Sequence, residues 1–236
     1  GDNIYPVGFN SKNKKKKELS EHRIKVQTDA AKNFKGRTIF IPGNHDWYSK
    51  LSGLKKQEKF VEDELGKGSY YFTTLRAGII IGSGSASFEI VRDLVEKLPI
   101  MIAPIWLKTK SQPIGVGDVI QFLSKTLFNQ QTYNQSFDIG GPDVLTYKDI
   151  LLEYAKVRGL KRKIIVVPIM TPKLSSYWLY FVTSTSYKLA SSLVSSMKIE
   201  VICRENNLND LLKISPINYR QALNRTLAKI DEHQTI

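Results

Sequence analysis

The chain has 236 residues, of which 42% are hydrophobic and 10% are aromatic, so its composition indicates one large or two small globular domains and excludes a disordered chain. A formal net charge of +13 would suit an anionic partner, but residues 1–72 carry +6 and residues 73–236 carry +7, so neither half holds the excess. The single cysteine, Cys203, excludes an internal disulfide and a cysteine-built zinc site; it fits a reducing compartment, and we expect a cytoplasmic protein.

Basic residues cluster once, in the KNKKKK segment at positions 12–17. Nucleic-acid sites usually combine such lysines with aromatic or arginine side chains, and the nearest of these are Phe9 and Arg23. We therefore interpret the segment as a solvated loop and expect no nucleic-acid partner.

The N-terminal part contains two polar helix candidates and one strand candidate. A lysine-rich helix is predicted over residues 15–34, and the apolar segment RTIFI at 37–41 is typical of a strand. A second charged helix is predicted over residues 54–65, since glycines follow it at 66 and 68.

Two short motifs, GDNIYP at 1–6 and GNHD at 43–46 after the apolar strand, group side chains that suit divalent metals and phosphate chemistry. They resemble motifs of the calcineurin-like metallophosphoesterases, and the resemblance covers about residues 1–72. It implies a pair of Mn, Fe or Zn ions, with Asp2 bridging the metals and Asn44 binding one of them. By the same resemblance His45 is the catalytic residue, which orients the phosphate or protonates the leaving oxygen of a phosphate ester.

The histidine content argues against that activity. The resembling enzymes also need an Asp-x-His motif upstream and a Gly-His-x-His motif downstream, whereas this sequence holds His22, His45 and His233 alone. His22 and His233 are expected to face solvent rather than a metal. A site with so few ligands binds metal weakly, so we expect little phosphatase activity.

From residue 73 the pattern changes to alternating strands and helices, which is typical of an α/β layer architecture. Strands are predicted at 75–81, 107–114, 135–139 and 163–167, and helices at 88–95, 116–127, 146–160 and 217–230. The apolar stretch LSSYWLYFVTSTSY at 174–187 is too short for a membrane span of about 20 residues, and a buried or amphipathic helix is the better interpretation.

The loop GSGSAS at 82–87 joins the first of these strands to a helix and approaches the dinucleotide fingerprint G-x-G-x-x-G. Ser87 stands in place of the third glycine, and no carboxylate follows about 20 residues later, where a ribose would be held. The loop alone therefore fits either a pyrophosphate turn or an ordinary connection between a strand and a helix.

Three segments, LRAGIII with its loop, QPIGVGDVIQFL, and FDIGGPDVLTYKDILLEYAKVRG, together resemble the later half of an extended or atypical short-chain dehydrogenase/reductase. The resemblance is to NAD(P)-binding, epimerase-like members and covers about residues 73–215. It implies NAD(P) as cofactor, a small-molecule substrate, and a substrate-side role for GSGSAS. It also implies cofactor contacts at Ala77 and Gly78, and substrate contacts at Arg76, Ser83, Ser85 and Phe88.

Structural interpretations are preferred for Arg76, for Asp118 and for the segment Gly140–Pro142. Arg76 would form an ion pair at a sheet edge, and Asp118 would stabilise the first turn of a helix. Gly140, Gly141 and Pro142 would form a turn before a helix that Thr146 caps.

The reductases' catalytic Tyr-x-x-x-Lys is absent: Tyr147, Tyr154 and Tyr187 are followed four positions later by leucine, arginine and serine. We therefore expect an α/β fold in which an incomplete Rossmann-type reductase half (73–236) follows a βα fragment of a metallophosphoesterase (1–72), with the junction at 71–74. The expected function is that of an NAD(P)-dependent epimerase/reductase-like protein lacking key catalytic groups.

Two alternatives stay open, a metal-dependent phosphoesterase and a non-catalytic chimeric or truncated protein. The sequence starts at Gly1 without an initiator methionine, so a targeting segment is expected to be either removed or not included. The substrate, the choice between NAD and NADP, and the oligomeric state are not predicted.

Overall fold

The computed structural model describes residues 14–32, 56, 59–61, 63–64, 71–167, 197 and 199–234. Its helices are α1 (Lys14–Lys32), α2 (Ala86–Lys97), α3 (Val116–Thr126), α4 (Tyr147–Val157), α5 (Leu208–Leu212) and α6 (Tyr219–Gln234). Its strands are β1 (Thr73–Ala77), β2 (Ile80–Ile81), β3 (Ile100–Pro104), β4 (Lys110–Ser111), β5 (Ile114–Gly115), β6 (Gln135–Ile139), β7 (Leu145–Thr146) and β8 (Lys163–Val167).

Some predicted elements lie outside the described residues, namely the strand at 37–41 and the apolar stretch at 174–187. The residues described between 56 and 64 are helical, in agreement with the second charged helix. The lysine cluster is solvated as expected, since Lys14, Lys15 and Lys17 are exposed, but the loop prediction is wrong because these residues begin α1. His22 is exposed on the same helix, and His233 lies in α6.

The described residues fall into two compact units, one of 1–76 with 125–137 and the other of 77–124 with 138–236. In the first unit, β1 pairs with β6. The Thr73 hydroxyl donates to the Thr132 carbonyl over 2.8 Å, and the rings of Tyr71 and Tyr133 stack with centroids 4.5 Å apart. In α1 of the same unit, Ile24 is buried.

In the second unit, helices α2, α4 and α6 bury their apolar faces in one hydrophobic core. Apolar residues three or four positions apart form one stripe on each helix, as in Phe88, Val91 and Leu94 of α2. Helix α2 packs on α4, and α4 packs on α6. The Phe88 ring meets the Tyr154 ring with centroids 6.1 Å apart, so the core joins α2 to α4 directly.

Short strands complete the second unit. Strands β2 and β5 pair in parallel, as do β3 and β8, whereas β4 and β7 pair antiparallel. Ser111 and Val201 form a further parallel bridge. Parallel strands connected by helices are the arrangement that the alternating pattern predicted, and the α/β fold class is confirmed.

Two predicted strands are interrupted, and strands β3 and β7 were not predicted. The strand at 75–81 is divided into β1 and β2 by a bend at Gly78. The strand at 107–114 is divided into a short 3₁₀ turn, β4 and β5; Pro113 interrupts it because proline has no N–H to donate to a neighbouring strand. Strand β3 was missed because prolines at 99 and 104 bound its apolar run.

The predicted cap of α4 is confirmed and gives the first testable prediction. The Thr146 hydroxyl accepts the Asp149 N–H over 3.1 Å, while the Asp149 carboxylate accepts the Thr146 N–H over 3.2 Å. Thr146→Ala should lower the free energy of unfolding by about 1 kcal/mol, because an N–H of the first turn loses its acceptor. Chemical denaturation measures this. Thr146→Ser keeps the hydroxyl and should stay close to wild type; an equal loss in both variants would contradict the capping role.

Within the described part of the chain, no helix is both long enough and apolar enough to cross a lipid bilayer.

Candidate ligand site

The loop at 82–85 follows the carboxyl end of β2, next to the carboxyl end of its parallel partner β5. Ligands of open α/β sheets bind in the crevice outside the carboxyl ends of the strands, so this position suits a functional loop. A Cβ atom on Gly82 would lie 2.8 Å from the Cβ of Val116, where α3 begins. Glycine at 82 therefore lets the loop pass close over the start of α3.

Two amides of this loop already donate inside the protein. The Gly84 N–H donates to the Glu89 carboxylate over 3.3 Å, and the Ser85 N–H donates to the Gly82 carbonyl over 3.2 Å. Glu89 is itself held by Arg92 at 2.6 Å. The residues at this turn do not fit the pyrophosphate of NAD(P), because a carboxylate already sits at the helix start and would repel a phosphate.

The predicted contact residues of this region occupy different environments. Ser83 is exposed and Ser85 is half-buried, with its hydroxyl donating to the Ile80 carbonyl over 2.8 Å. Phe88, in contrast, is 0% exposed within the core of the second unit. Its ring presents no accessible surface to a substrate, so the structure assigns it a packing position instead.

Arg76 and Ala77 form the end of β1, and Gly78 follows at the bend. A Cβ atom on Gly78 would lie 3.1 Å from the Val201 side chain, which shows that the chain segments approach closely here. The roles of Arg76, Ala77 and Gly78 in substrate or cofactor binding stay predictions.

A polar cavity of about 260 Å³ opens in the second unit beside the turn that follows β6. It is lined by Gln112, Asp138, Gly140, Gly141, Pro142, Cys203, Arg204, Glu205, Asn206, Asn209 and Pro216. Residues from three separated parts of the sequence meet there, which no local pattern could reveal. The glycine pair was expected to form a turn, and the structure makes that turn one wall of the cavity.

The charged residues in the wall of this cavity are one arginine, Arg204, and two carboxylates, Asp138 and Glu205. The Arg204 guanidinium donates to both carboxylate oxygens of Asp138, over 2.6 Å from Nε and 3.0 Å from Nη2. The Arg204 backbone N–H also donates to Asp138, over 3.1 Å. The Arg204 side chain is nevertheless 69% exposed, so its planar group is oriented by Asp138 while it stays accessible.

The cysteine in the cavity wall is a weak nucleophile. Burial, helped by the negative charge of Asp138, raises the pKa of the Cys203 thiol to about 11. At neutral pH the thiol therefore stays protonated, and a protonated thiol is a poor nucleophile. We assign Cys203 no chemical role.

A second cavity, of about 400 Å³, lies between the starts of α4 and α6. Its Arg220 donates to Glu153, and this hydrogen bond is the main reason that the pKa of Glu153 is below its usual range. The Asp143 carboxylate accepts the Tyr219 N–H over 2.8 Å at the start of α6. Arg220 and Glu153 are thus paired with each other, and Asp143 is paired with a backbone N–H at the start of α6.

Asp118, expected to stabilise the first turn of α3, is buried and also makes a tertiary contact. Its carboxylate accepts the Ile217 N–H over 3.2 Å, ahead of α6. Burial raises the pKa of Asp118, and this hydrogen bond and Arg225 oppose the shift. The long-range contact could not be predicted, because 99 residues separate the partners.

The residues of the metallophosphoesterase motifs, Asp2, Asn44 and His45, lie outside the described residues. Among the residues that the structure describes, no three His, Cys, Asp or Glu side chains are grouped so that they could hold a metal ion. The metal prediction thus has no support in the described part of the chain.

Comparison with known proteins identifies the fold. Protein-family models and curated proteins gave no match to the sequence. Solved structures did match. A nucleoside-diphosphate-sugar epimerase from Staphylococcus aureus aligns with a TM-score of 0.64 and 13% identity, over 87% of this chain and 71% of the epimerase.

Two further structures share the same fold. The dTDP-4-dehydrorhamnose reductase of Bacillus anthracis, in complex with NADP, has a TM-score of 0.62 at 9% identity, over 95% of this chain and 78% of the reductase. The UDP-glucuronic acid 4-epimerase of Bacillus cereus, in complex with UDP-glucuronic acid and NAD, has a TM-score of 0.59 at 14% identity, over 96% and 73%. The chain therefore has the Rossmann-like α/β fold of NAD(P)-dependent epimerases and reductases. None of these three matches is a phosphoesterase.

Proposed function

We propose that this chain is an NAD(P)-dependent epimerase/reductase-like protein that binds an anionic, nucleotide-linked small molecule, and that the 236 residues do not complete the reaction by themselves. The observation that carries the binding proposal is the exposed Arg204 guanidinium, oriented by Asp138 on the wall of the polar cavity. An arginine held in this way suits recognition of phosphate or carboxylate groups.

A further group of the cavity suits the uncharged part of such a ligand. The side chain of Asn209 also lines the cavity and offers hydrogen-bonding groups for sugar and base. The fold supports the same ligand class, since the similar epimerase from Bacillus cereus was solved with UDP-glucuronic acid and NAD.

The proposal of incomplete catalysis rests on the sequence. Reductases of the resembling kind use a tyrosine whose proton affinity is lowered by a lysine four positions later, and no tyrosine of this sequence has that lysine. NAD(P) is proposed from the resemblance and the fold, but the turn at 82–85 does not fit its pyrophosphate. The proposed cofactor contacts remain Ala77 and Gly78. The proposed substrate contacts remain Arg76, Ser83 and Ser85.

The domain assignment, 1–72 and 73–236, and a cytoplasmic location belong to this proposal as well. They are supported by the change of sequence pattern at 71–74 and by the single cysteine. No described residue favours the phosphoesterase alternative.

Calorimetric titration of the full chain with UDP-glucuronic acid tests the binding proposal. Arg204→Gln should weaken binding about tenfold, since it removes the cation from the cavity. The matched control is Arg220→Gln, which removes a similarly exposed arginine paired with the carboxylate of Glu153 in the other cavity. Wild type and the control should bind alike.

Two results would count against the proposal. If the wild type does not bind UDP-glucuronic acid, or if Arg204→Gln binds it equally well, then this cavity is not the proposed ligand site. Turnover of the sugar nucleotide with NAD or NADP added would contradict the incomplete catalysis.

A further inference from the structure

A second feature of the polar cavity is the side-chain amide of Gln112, which joins two parts of its wall. The amide nitrogen donates to the Gly141 carbonyl over 2.7 Å, and the amide oxygen accepts the Cys203 N–H over 2.9 Å. Both partners are backbone groups, one in the turn after β6 and the other beside Arg204. Gln112 thus uses both ends of one amide to hold two chain segments at a fixed separation.

The backbone next to Gln112 strengthens this junction. The Gln112 N–H donates to the Val201 carbonyl over 2.9 Å, and the Gly141 N–H donates to the Pro113 carbonyl over 2.9 Å. The segments are so close that a Cβ atom on Gly140 would lie 2.6 Å from the Cys203 sulfur and 2.9 Å from the Gln112 side chain. There is no room for the turn to move toward residue 203.

The junction acts on the group proposed to bind the ligand. Residue 203 is held by Gln112, and the next residue, Arg204, is held by Asp138 through its backbone and its guanidinium. If the N–H of Cys203 loses its acceptor, residue 203 is held only indirectly, through Val201 on one side and Arg204 on the other. The guanidinium then samples more positions, and the ligand must order it on binding.

We infer that Gln112 is a positioning residue of the polar cavity, which fixes Arg204 relative to the Gly140–Gly141 turn through its two backbone hydrogen bonds. The ligand-binding part of this inference rests on the proposed function. The hydrogen bonds predict a specific substitution pattern: an apolar side chain of similar length loses both bonds, whereas glutamate keeps the acceptor for Cys203 and loses the donor for Gly141.

The test measures two properties of the full-length chain, the dissociation constant for UDP-glucuronic acid and the labelling rate of Cys203 by an aromatic disulfide. Cys203 is the sole cysteine of the sequence and is a direct neighbour of the junction. Gln112→Met should weaken binding about tenfold and speed labelling about tenfold, because the Cys203 N–H loses its acceptor. Gln112→Glu should also weaken binding, but it should label no faster than the wild type, because the Cys203 N–H keeps its acceptor and the added negative charge disfavours the thiolate.

The matched control is Gln121→Met, at an exposed glutamine on α3, which should leave both properties unchanged. Circular dichroism in the cold establishes that each variant is folded, so a change in binding is not a change in the folded fraction. A purely structural role would lower the melting temperature of Gln112→Met without altering its affinity once folded.

The outcomes separate the two proposals. If the wild type does not bind UDP-glucuronic acid, the proposed function fails, and the labelling rates alone decide whether Gln112 fixes the segment at 203. If the wild type binds and Gln112→Met binds equally well, the inference is overturned while the proposed function stands. Equal labelling of wild type and Gln112→Met overturns the inference in either case.

Discussion

Phe88→Ala is expected to lower the free energy of unfolding by about 3–5 kcal/mol, the range for removing a large aromatic side chain from a packed core. The ring is 0% exposed and packs against Tyr154 of α4, so its removal leaves a void between two helices. The surrounding helices are held by further contacts and can close that void only in part. Chemical denaturation followed by circular dichroism measures the loss.

Phe128→Ala is the matched control, because Phe128 is 79% exposed and its removal should change stability by less than about 0.5 kcal/mol. The same pair of variants also tests the expectation that Phe88 contacts a substrate. If Phe88→Ala unfolds at wild-type denaturant concentrations but binds UDP-glucuronic acid more weakly, then the ring faces a ligand and the packing interpretation is wrong.

Local patterns predicted the long helices α2, α3, α4 and α6, because each of these helices carries its own periodic signal. The strand at 163–167 has the predicted bounds, and Thr146 caps α4 as its position at the predicted helix start indicated. The predicted strand at 107–114 failed at Pro113, since a run of apolar and polar residues does not show which N–H groups a sheet will need.

The candidate cavity was not predictable from the sequence for a different reason. Gln112, Asp138 and Arg204 each have an ordinary sequence context, and their significance comes from contacts across 66 and 91 residues. Such contacts are set by the packing of the whole unit rather than by neighbouring residues. The resemblance to reductases implies ligand contacts at the loop 82–85, where the Glu89 carboxylate already accepts the N–H of Gly84.

Gly141→Ala is expected to be the most damaging small substitution in the cavity wall. An added Cβ would lie 2.5 Å from the Pro113 carbonyl oxygen, a backbone atom that cannot rotate away as a side chain can. The turn must move outward, which breaks the hydrogen bond from the Gly141 N–H to that same carbonyl. We expect a loss of about 1–3 kcal/mol in the free energy of unfolding, as for other insertions into packed sites.

The matched control for this substitution is Gly117→Ala in α3, where an added Cβ would meet no atom within 4 Å. Alanine is a better helix former than glycine, so this variant should gain about 0.5–1 kcal/mol. The two alanine substitutions are thus predicted to change the free energy of unfolding in opposite directions. Melting temperatures of the two variants, measured side by side, test this. Because the displaced turn also carries the carbonyl that Gln112 holds, Gly141→Ala should weaken UDP-glucuronic acid binding, whereas Gly117→Ala should not. A Gly141→Ala protein with wild-type melting temperature and wild-type affinity would show that the turn does not hold the cavity wall in place.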